Sequence, residues 1–350
     1  YVLMRGQYDK PDKARKVQRG VPAAFGALPE GAPADRRGLA QWLVSPKNPL
    51  VARVAVNRTW ELLFGAGIVR TSEDFGLQGE WPSHPELLDW LAVELQESGW
   101  DLEHVLTLIL QSATYRQSST VRRELAESDP SNRWLAYFPR QRLSAEGIRD
   151  SALYVSGLLV EKLGGPSVKP YQPDGLWQEV AMPQSNTRVF EAGMGDEMWR
   201  RSLYTYWKRA CPPPSLLTFD APTREFCTIR RASTNTPLQA LVLWNDEQFV
   251  EAARVLAERV LDEPGADDHA RLARLLRRCT GRAPGSSELA QLQSALTAFR
   301  ERYSAAPSDA AALAAVGRRK PQAAHATVEL AAWTMLASAA LNLDATLTKN

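Results

Sequence analysis

Apolar positions recur at helical spacing along most of the chain. Leu87, Leu91 and Leu95 stand at i, i+4 and i+8, and Leu102, Val105, Leu106, Ile109 and Leu110 form a second stripe. Leu289, Leu292, Leu296 and Phe299 form another late in the chain. This period lines one face of a helix and predicts amphipathic helices rather than strands. Start and stop signals bound them. A short helix is expected over 35–43, stopped by Ser45 and Pro46, and a strong one over 50–64, ended by Gly65 and Gly67. Ser83 and Glu86 have the spacing of a capping box with Pro85 in the first turn, and Gly99 closes that helix. Ser144 opens a helix through Ile148, Ala152, Val155 and Leu159, which the pattern carries on to Gly164-Gly165-Pro166. Thr236, Pro237 and Gln239 mark another start, and Asp246 caps a run through Val250, Ala253, Ala257 and Val260. Further helices are expected around 267–279, 286–303, 308–316 and 324–342.

The pattern therefore predicts a mainly α, multi-helix globular fold. Residues 1–34 are polar, with scattered Gly and Pro, and read as an extended lead-in. Residues 35–262 form a helical core whose middle, 166–235, is rich in Pro, Gly and aromatics. That middle is expected to be irregular, with room for one small β-hairpin. The run RRSLYTYWKR (200–209) alternates enough for a strand, and a helix is also compatible with it. Residues 263–350 shift to Ala, Leu and Arg and read as a C-terminal helical packing layer.

Composition narrows the function. The chain has 350 residues, 44% of them hydrophobic, enough for a large core. Lys plus Arg number 42 against 40 Asp plus Glu, a net charge of +2, so nothing global favours nucleic acid or an anionic membrane. No apolar run approaches the roughly 18 residues of a membrane span. The start, YVLMRGQYDK, has neither a signal-peptide apolar segment nor an initiator Met, so a piece of a longer polypeptide is expected. The three cysteines, Cys211, Cys227 and Cys279, are too few and too far apart for a disulfide framework.

Familiar catalytic patterns are missing. There is no C-x-x-C-H to hold haem covalently, no H-E-x-x-H for a metal and no G-x-S-x-G nucleophile turn. No cofactor and no metal are expected, and catalytic residues are unassigned. Asp74-Phe75-Gly76 matches a kinase tripeptide, but neither a Gly-rich phosphate loop nor an H-R-D run accompanies it.

What stands out is a set of sharply specified polar runs: NPLVARVAVNRTW (48–60), PSHPELLDW (82–90), GGPSVKPYQPDGLW (164–177) and RRASTNTPLQAL (230–241). Arg53, Asn57 and Trp60 lie near one another on one helix surface by their spacing, among apolar neighbours where polar groups require partners. Arg230, Arg231, Thr234 and Asn235 offer donors and acceptors just before a helix start, and Arg200 belongs to the same Arg-rich set. These eight residues are the candidate ligand site, with the two runs expected to converge. Arg forks suit sulfate, carboxylate or phosphate, and Trp or Tyr faces suit sugar rings.

Several long signatures in the same order resemble the planctomycete secreted domain, also called domain of unknown function 1553. They include the runs above, SATYRQSS (112–119), RLSAEGIRD (142–150) and FDAPTREFCTIRRASTNTPLQAL (219–241). A weaker match covers LNLDATLTKN (341–350), where Ala345 and Thr346 replace the family's acidic-aromatic ending. The resemblance implies a C-terminal module of large exported, periplasmic or extracellular proteins, often with an upstream cytochrome-c-like domain. It supplies no established activity. The expected function is an accessory ligand-binding or interaction module, with anionic polysaccharide and the upstream domains as partners. A polysaccharide hydrolase or lyase using a carboxylate pair is the rival, and a docking domain for the cytochrome-c-like module is the third reading.

Overall fold

A computed structural model describes residues 1–264, 267–322 and 324–349, so the last residue of the 263–350 layer, Asn350, lies outside the described residues. Mainly helical architecture, expected from the apolar spacing, is what the chain adopts. Fifteen α-helices are present among the described residues, against four strands of two residues each. The chain divides into two units, Tyr1–Pro139 and Arg140–Asn350.

In the first unit, β1 (Val2–Leu3) and β2 (Pro11–Asp12) make a small antiparallel hairpin within the lead-in rather than in the middle of the chain. Five helices follow: α1 (Arg36–Leu43), α2 (Val51–Phe64), α3 (Pro85–Glu97), α4 (Leu102–Gln111) and α5 (Arg123–Ser128). Asp35 caps α1 by accepting from the Arg37 and Gly38 N–H groups, and Asp101 does the same for Glu103 and His104 of α4. Phe64 anchors the core: Trp60 stacks on it at 4.2 Å, and Tyr115 and Phe138 approach it at 5.9 Å. Leu88, Leu91, Leu95, Val105 and Ile109 complete this cluster; of the stripes read from α3 and α4, Leu91, Leu95, Val105 and Ile109 are buried in it, while Leu102 and Leu110 are exposed.

The start of α3 differs from expectation. Its cap position is His84, and Ser83 makes no cap. Ser83 is drawn away instead, its N–H donating to the Ile68 carbonyl at 2.9 Å and its hydroxyl to the same oxygen at 3.3 Å. A tertiary acceptor has outcompeted the local capping box.

The second unit begins with β3 (Gln141–Arg142), paired antiparallel with β4 (Thr348–Lys349) near the other end of the chain. Between them lie α6 (Ala145–Ser156), α7 (Leu176–Val180), α8 (Pro214–Thr218), α9 (Pro237–Asn245), α10 (Glu247–Leu261), α11 (Asp268–Thr280), α12 (Ser286–Ala305), α13 (Pro307–Ala314), α14 (Thr327–Leu341) and α15 (Asp344–Leu347). Ser144 caps α6 and Asp246 caps α10 through side-chain oxygens, as read. At α9, the Gln239 side chain reaches back to the Thr236 N–H at 3.4 Å.

Helix α14 is buried on every side and packs against α10, α12 and α13. Such a helix must be apolar all round. Ala331, Ala332, Ala337 and Ala340 let its neighbours come close, while Trp333 fills the centre and donates its indole N–H to Glu329 at 2.8 Å.

Helix α6 stops at Gly157, in the left-handed conformation at φ 83°, and does not run on to Gly164. The Val160 N–H is needed elsewhere: it donates to the Trp199 carbonyl at 3.0 Å and forms an isolated bridge with Arg200. The run 200–209 is likewise no strand. It holds a single 3-10 turn at Ser202–Tyr204 and two isolated bridges, Arg200 with Val160 and Thr205 with Val168.

Arg300 ties three helices of this unit together. It donates to both oxygens of Asp268 on α11, at 2.5 and 3.1 Å, and to both of Glu329 on α14, at 2.9 and 2.5 Å. The Arg300 hydrogen bond holds the Asp268 carboxyl below its usual range. At Glu329, burial pushes the carboxyl up, but hydrogen bonds from Arg300 and Trp333 outweigh it. Carboxyls depressed in the folded state contribute stability above their unfolded pKa values of about 4 and lose it as pH falls through the folded values. Arg300→Ala is therefore expected to cost about 1–2 kcal/mol near neutral pH. The gap from wild type should narrow in urea titrations repeated below pH ~4; a gap independent of pH would contradict this account.

Candidate functional site

The sequence-derived residues fall in both units. In the first, Arg53 donates Nε to Asp89 Oδ1 at 2.6 Å and Nη1 to the Pro49 carbonyl. Asn57 is fully buried on α2, where its Oδ1 accepts the Val69 N–H at 2.8 Å and its Nδ2 donates to the Val69 carbonyl at 3.0 Å. One amide side chain thus serves as a strand partner for an irregular backbone. No larger residue than glycine fits beside it, since a Cβ on Gly67 would lie 2.5 Å from Asn57 Nδ2. Trp60 is part of the core stack.

In the second unit, two arginines organise the irregular middle. Arg149 on α6 is 2% exposed and satisfies its guanidinium entirely within the protein. Its Nε donates to Gln248 Oε1 at 2.7 Å, Nη1 to the Arg200 carbonyl at 2.8 Å and Nη2 to the Met198 carbonyl at 2.8 Å. Burial pushes its pKa down to about 10, with the charges of Asp150 and Asp246 opposing, so it stays charged at neutral pH. Asp150 beside it accepts the Ser202 N–H and hydroxyl at 2.8 and 2.7 Å. Arg200 in turn donates to the carbonyls of Lys162, Gly164 and Pro166 at 2.8, 2.6 and 3.2 Å and lies over the Tyr204 ring. These two cations hold the backbone at Lys162, Gly164 and Pro166 and at Met198 and Arg200.

The second polar run surrounds a pocket of about 150 Å³ lined by Arg142, Ser144, Asp220 and Arg231, among others. Arg231 donates to Glu146 Oε2 at 2.7 Å. Thr234 gives its N–H and hydroxyl to Asp220, at 2.7 and 2.8 Å to Oδ2, and Gln239 Nε2 donates to the Thr218 carbonyl at 3.0 Å and to Thr234 Oγ1 at 3.1 Å. Asp220 holds this position with a left-handed backbone, φ 64°. Asn235 Oδ1 accepts from Arg142 Nη1 at 3.4 Å. Thus Arg231, Thr234 and Asn235 do come together, with Glu146, Asp220 and Arg142. Arg230 is exposed and has interactions of its own. Arg53, Asn57 and Trp60 belong to the other unit.

Arg142 is the residue that the sequence-derived ligand set omits. It is half-buried, no carboxylate among the described residues forms an ion pair with it, and its Nε is buried without a partner. Burial lowers its pKa, only partly opposed by the more distant charges of Asp344 and Asp220. The signal for it was its place two residues before Ser144, the cap of α6. That hydroxyl takes the Gly147 N–H at 3.1 Å, and the Ala145 and Glu146 N–H groups have no acceptor within the helix. A desolvated guanidinium beside a helix N-terminus favours an anion.

Other chemistry finds less support. Among the described residues no group of three or more His, Cys, Asp or Glu is placed to hold a metal ion. His84 bonds to Ser83 at 3.0 Å, and Asp74 closes its own turn by accepting the Gly76 N–H at 2.7 Å. All three cysteines are free thiols, and burial pushes Cys279 up to about 12, which leaves it unreactive.

The family model described as "PSD1: Protein of unknown function (DUF1553)" matches residues 35–296. The chain belongs to this family. No curated protein matches it, and no solved structure does. The match spans both units and contains the buried Arg149 and the pocket around Arg142. No helix among the described residues is long and apolar enough to cross a membrane.

Arg149→Ala would orphan two buried carbonyls and the Gln248 amide oxygen and is expected to cost about 3–5 kcal/mol. Urea denaturation followed by circular dichroism measures this. A loss below ~1 kcal/mol would mean that the middle is held without it.

Proposed function

We propose that this family member is a non-catalytic module that accepts an acidic group, a sulfate or carboxylate, at the pocket around Arg142. The observation that carries the reading is the half-buried Arg142 guanidinium, which pairs with no carboxylate among the described residues, next to the α6 N-terminus. A pocket of about 150 Å³ has room for such a group. An anionic glycan is the ligand class proposed, with the chain working beside other domains of an exported protein, as its sequence resemblance implies.

A hydrolase or lyase would need two carboxylates facing one bond with free edges. Glu146 is engaged by Arg231, and Asp220 gives both oxygens to Thr234. Both act as fixed acceptors, which favours binding over hydrolysis.

The test is retention on sulfated and carboxylated polysaccharide columns. Wild type should be retained, and Arg142→Ala should elute at clearly lower salt with an unchanged melting temperature. Arg123→Ala, which removes an equal charge from exposed α5, should elute with wild type. Wild type that passes through every such column overturns the proposal, as does equal elution of the Arg142 and Arg123 variants.

A further inference from the structure

In the first unit, the lead-in and α1 together line a cleft of about 360 Å³, more than twice the volume of the pocket around Arg142. That size is within the range of small-molecule sites. Val21, Leu28 and Ala34 of the lead-in and Leu39 of α1 form its apolar wall. Leu39 lines the cleft yet keeps 43% of its surface exposed, apolar area that a ligand would remove from water. Arg19 and Arg36 supply the charge. Arg36 stands three residues before Leu39 on α1, so cation and apolar wall share one face of the helix.

The lead-in is tied to α1 rather than draped over it. The buried Trp42 of α1 donates its indole N–H to the Phe25 carbonyl at 3.3 Å. The Phe25 N–H donates to the Pro22 carbonyl at 3.0 Å, and the Ala32 N–H to the Pro29 carbonyl at 2.9 Å, so short turns set the path between Val21 and Leu28 and on to Ala34. Where the chain enters α1, the Asp35 N–H donates to the Pro33 carbonyl at 2.8 Å. Gly38 is required at that junction, because a Cβ on it would lie 1.9 Å from the Pro33 oxygen. These contacts form the cleft before any ligand arrives, which lowers the cost of binding.

The charges in the lining are unbalanced. Arg19 donates Nη1 to the Ala34 carbonyl at 3.5 Å, and among the described residues neither Arg19 nor Arg36 forms an ion pair. The one acid in the lining, Asp35, is committed to the helix: its Oδ1 accepts the Arg37 and Gly38 N–H groups at 2.8 and 3.2 Å, at the positive end of α1. The lining has no aromatic ring and no side-chain hydroxyl or amide. A polyhydroxylated ligand would lose water there without gaining partners. We infer that this cleft binds a small amphipathic carboxylate, its apolar body on Val21, Leu28 and Leu39 and its acid group on Arg19 and Arg36. Guanidinium forks match a carboxylate, and the apolar wall asks for a hydrocarbon body, aromatic or aliphatic. The inference stands apart from the function proposed for the Arg142 pocket, with a different ligand class and different residues, and residues 19–34 precede the family match.

Equilibrium dialysis of the full chain against naphthoate and octanoate tests this. At least one of the two acids should bind with a Kd below about 1 mM, naphthoate alone marking an aromatic ligand and octanoate alone an aliphatic one. Arg19→Ala and Arg36→Ala should each weaken that binding at least about fivefold, and Leu39→Gln by a similar factor. Arg37→Ala removes an equal charge from α1 outside the cleft lining and should bind as wild type, as should Arg142→Ala. All five substitutions should leave the melting temperature unchanged. Loss in Arg142→Ala with full binding by the Arg19 and Arg36 variants moves the acid to the other pocket and overturns the inference. It is also overturned if neither acid binds, if the corresponding neutral alcohols bind as tightly as the acids, or if acetate does.

Discussion

A guanidinium cut off from water must find oxygen acceptors in the protein, and the second unit is arranged around that requirement at Arg149. Its acceptors are backbone carbonyls at Met198 and Arg200 and the amide of Gln248, drawn from a loop and from α10. Helix α6 supplies the cation on a regular scaffold, and the Pro- and Gly-rich middle supplies the oxygens. The same device recurs at Arg200, which gathers three further carbonyls. An irregular segment that cannot satisfy its own backbone is thus satisfied by side chains from elsewhere. This makes the middle a fixed structure rather than a loose connection, and it lets the segment carry the polar run that ends at α9.

A third buried charge group follows the same logic. Glu251 on α10 is fully buried and accepts from Tyr171 at 3.0 Å, from the Trp199 indole at 2.9 Å and from the Arg319 N–H at 2.7 Å. Arg254 and Glu258, one turn further on each, pair at 2.6 Å and bind the same connection before α14. One helix therefore presents a row of acidic and basic groups inward, against loops, beside the apolar residues it gives to the core. Gly317 is part of this design: at φ 97° its bare Cα leaves room for the Glu251 carboxyl, which a Cβ would approach to 2.6 Å.

How much of this was legible in the sequence follows from the range of each interaction. The stripes of α3, α4 and α10 and the caps at Ser144 and Asp246 depend on residues within a few positions, and reading the apolar spacing finds them. Where α6 ends was hidden, because Val160 pairs with the backbone at Trp199 and Arg200, about forty residues away by sequence. Ser83 failed as a cap for the same reason, its hydroxyl having a partner at Ile68. Among the candidate residues, the spacing marked Arg53 and Asn57 as polar groups that need partners, but could not name those partners, which are Asp89 and the Pro49 carbonyl for Arg53 and the Val69 backbone for Asn57. Arg142 escaped the site set because what distinguishes it is that no carboxylate among the described residues pairs with it, although Asp220 lines the same pocket, and an unmade pair leaves no trace in local spacing.

Helix α14 has a bearing on where this family's domain ends. The family match closes at residue 296, inside α12, whereas the helix at the centre of the second unit's core runs over Thr327–Leu341. A segment cut at the limits of the recognisable signatures would leave α10, α11 and the first half of α12 without the surface they enclose. Recognisable signatures and foldable boundaries are different things here: the residues that identify the family are polar and idiosyncratic, while those that close its core are alanines and leucines that many helices share.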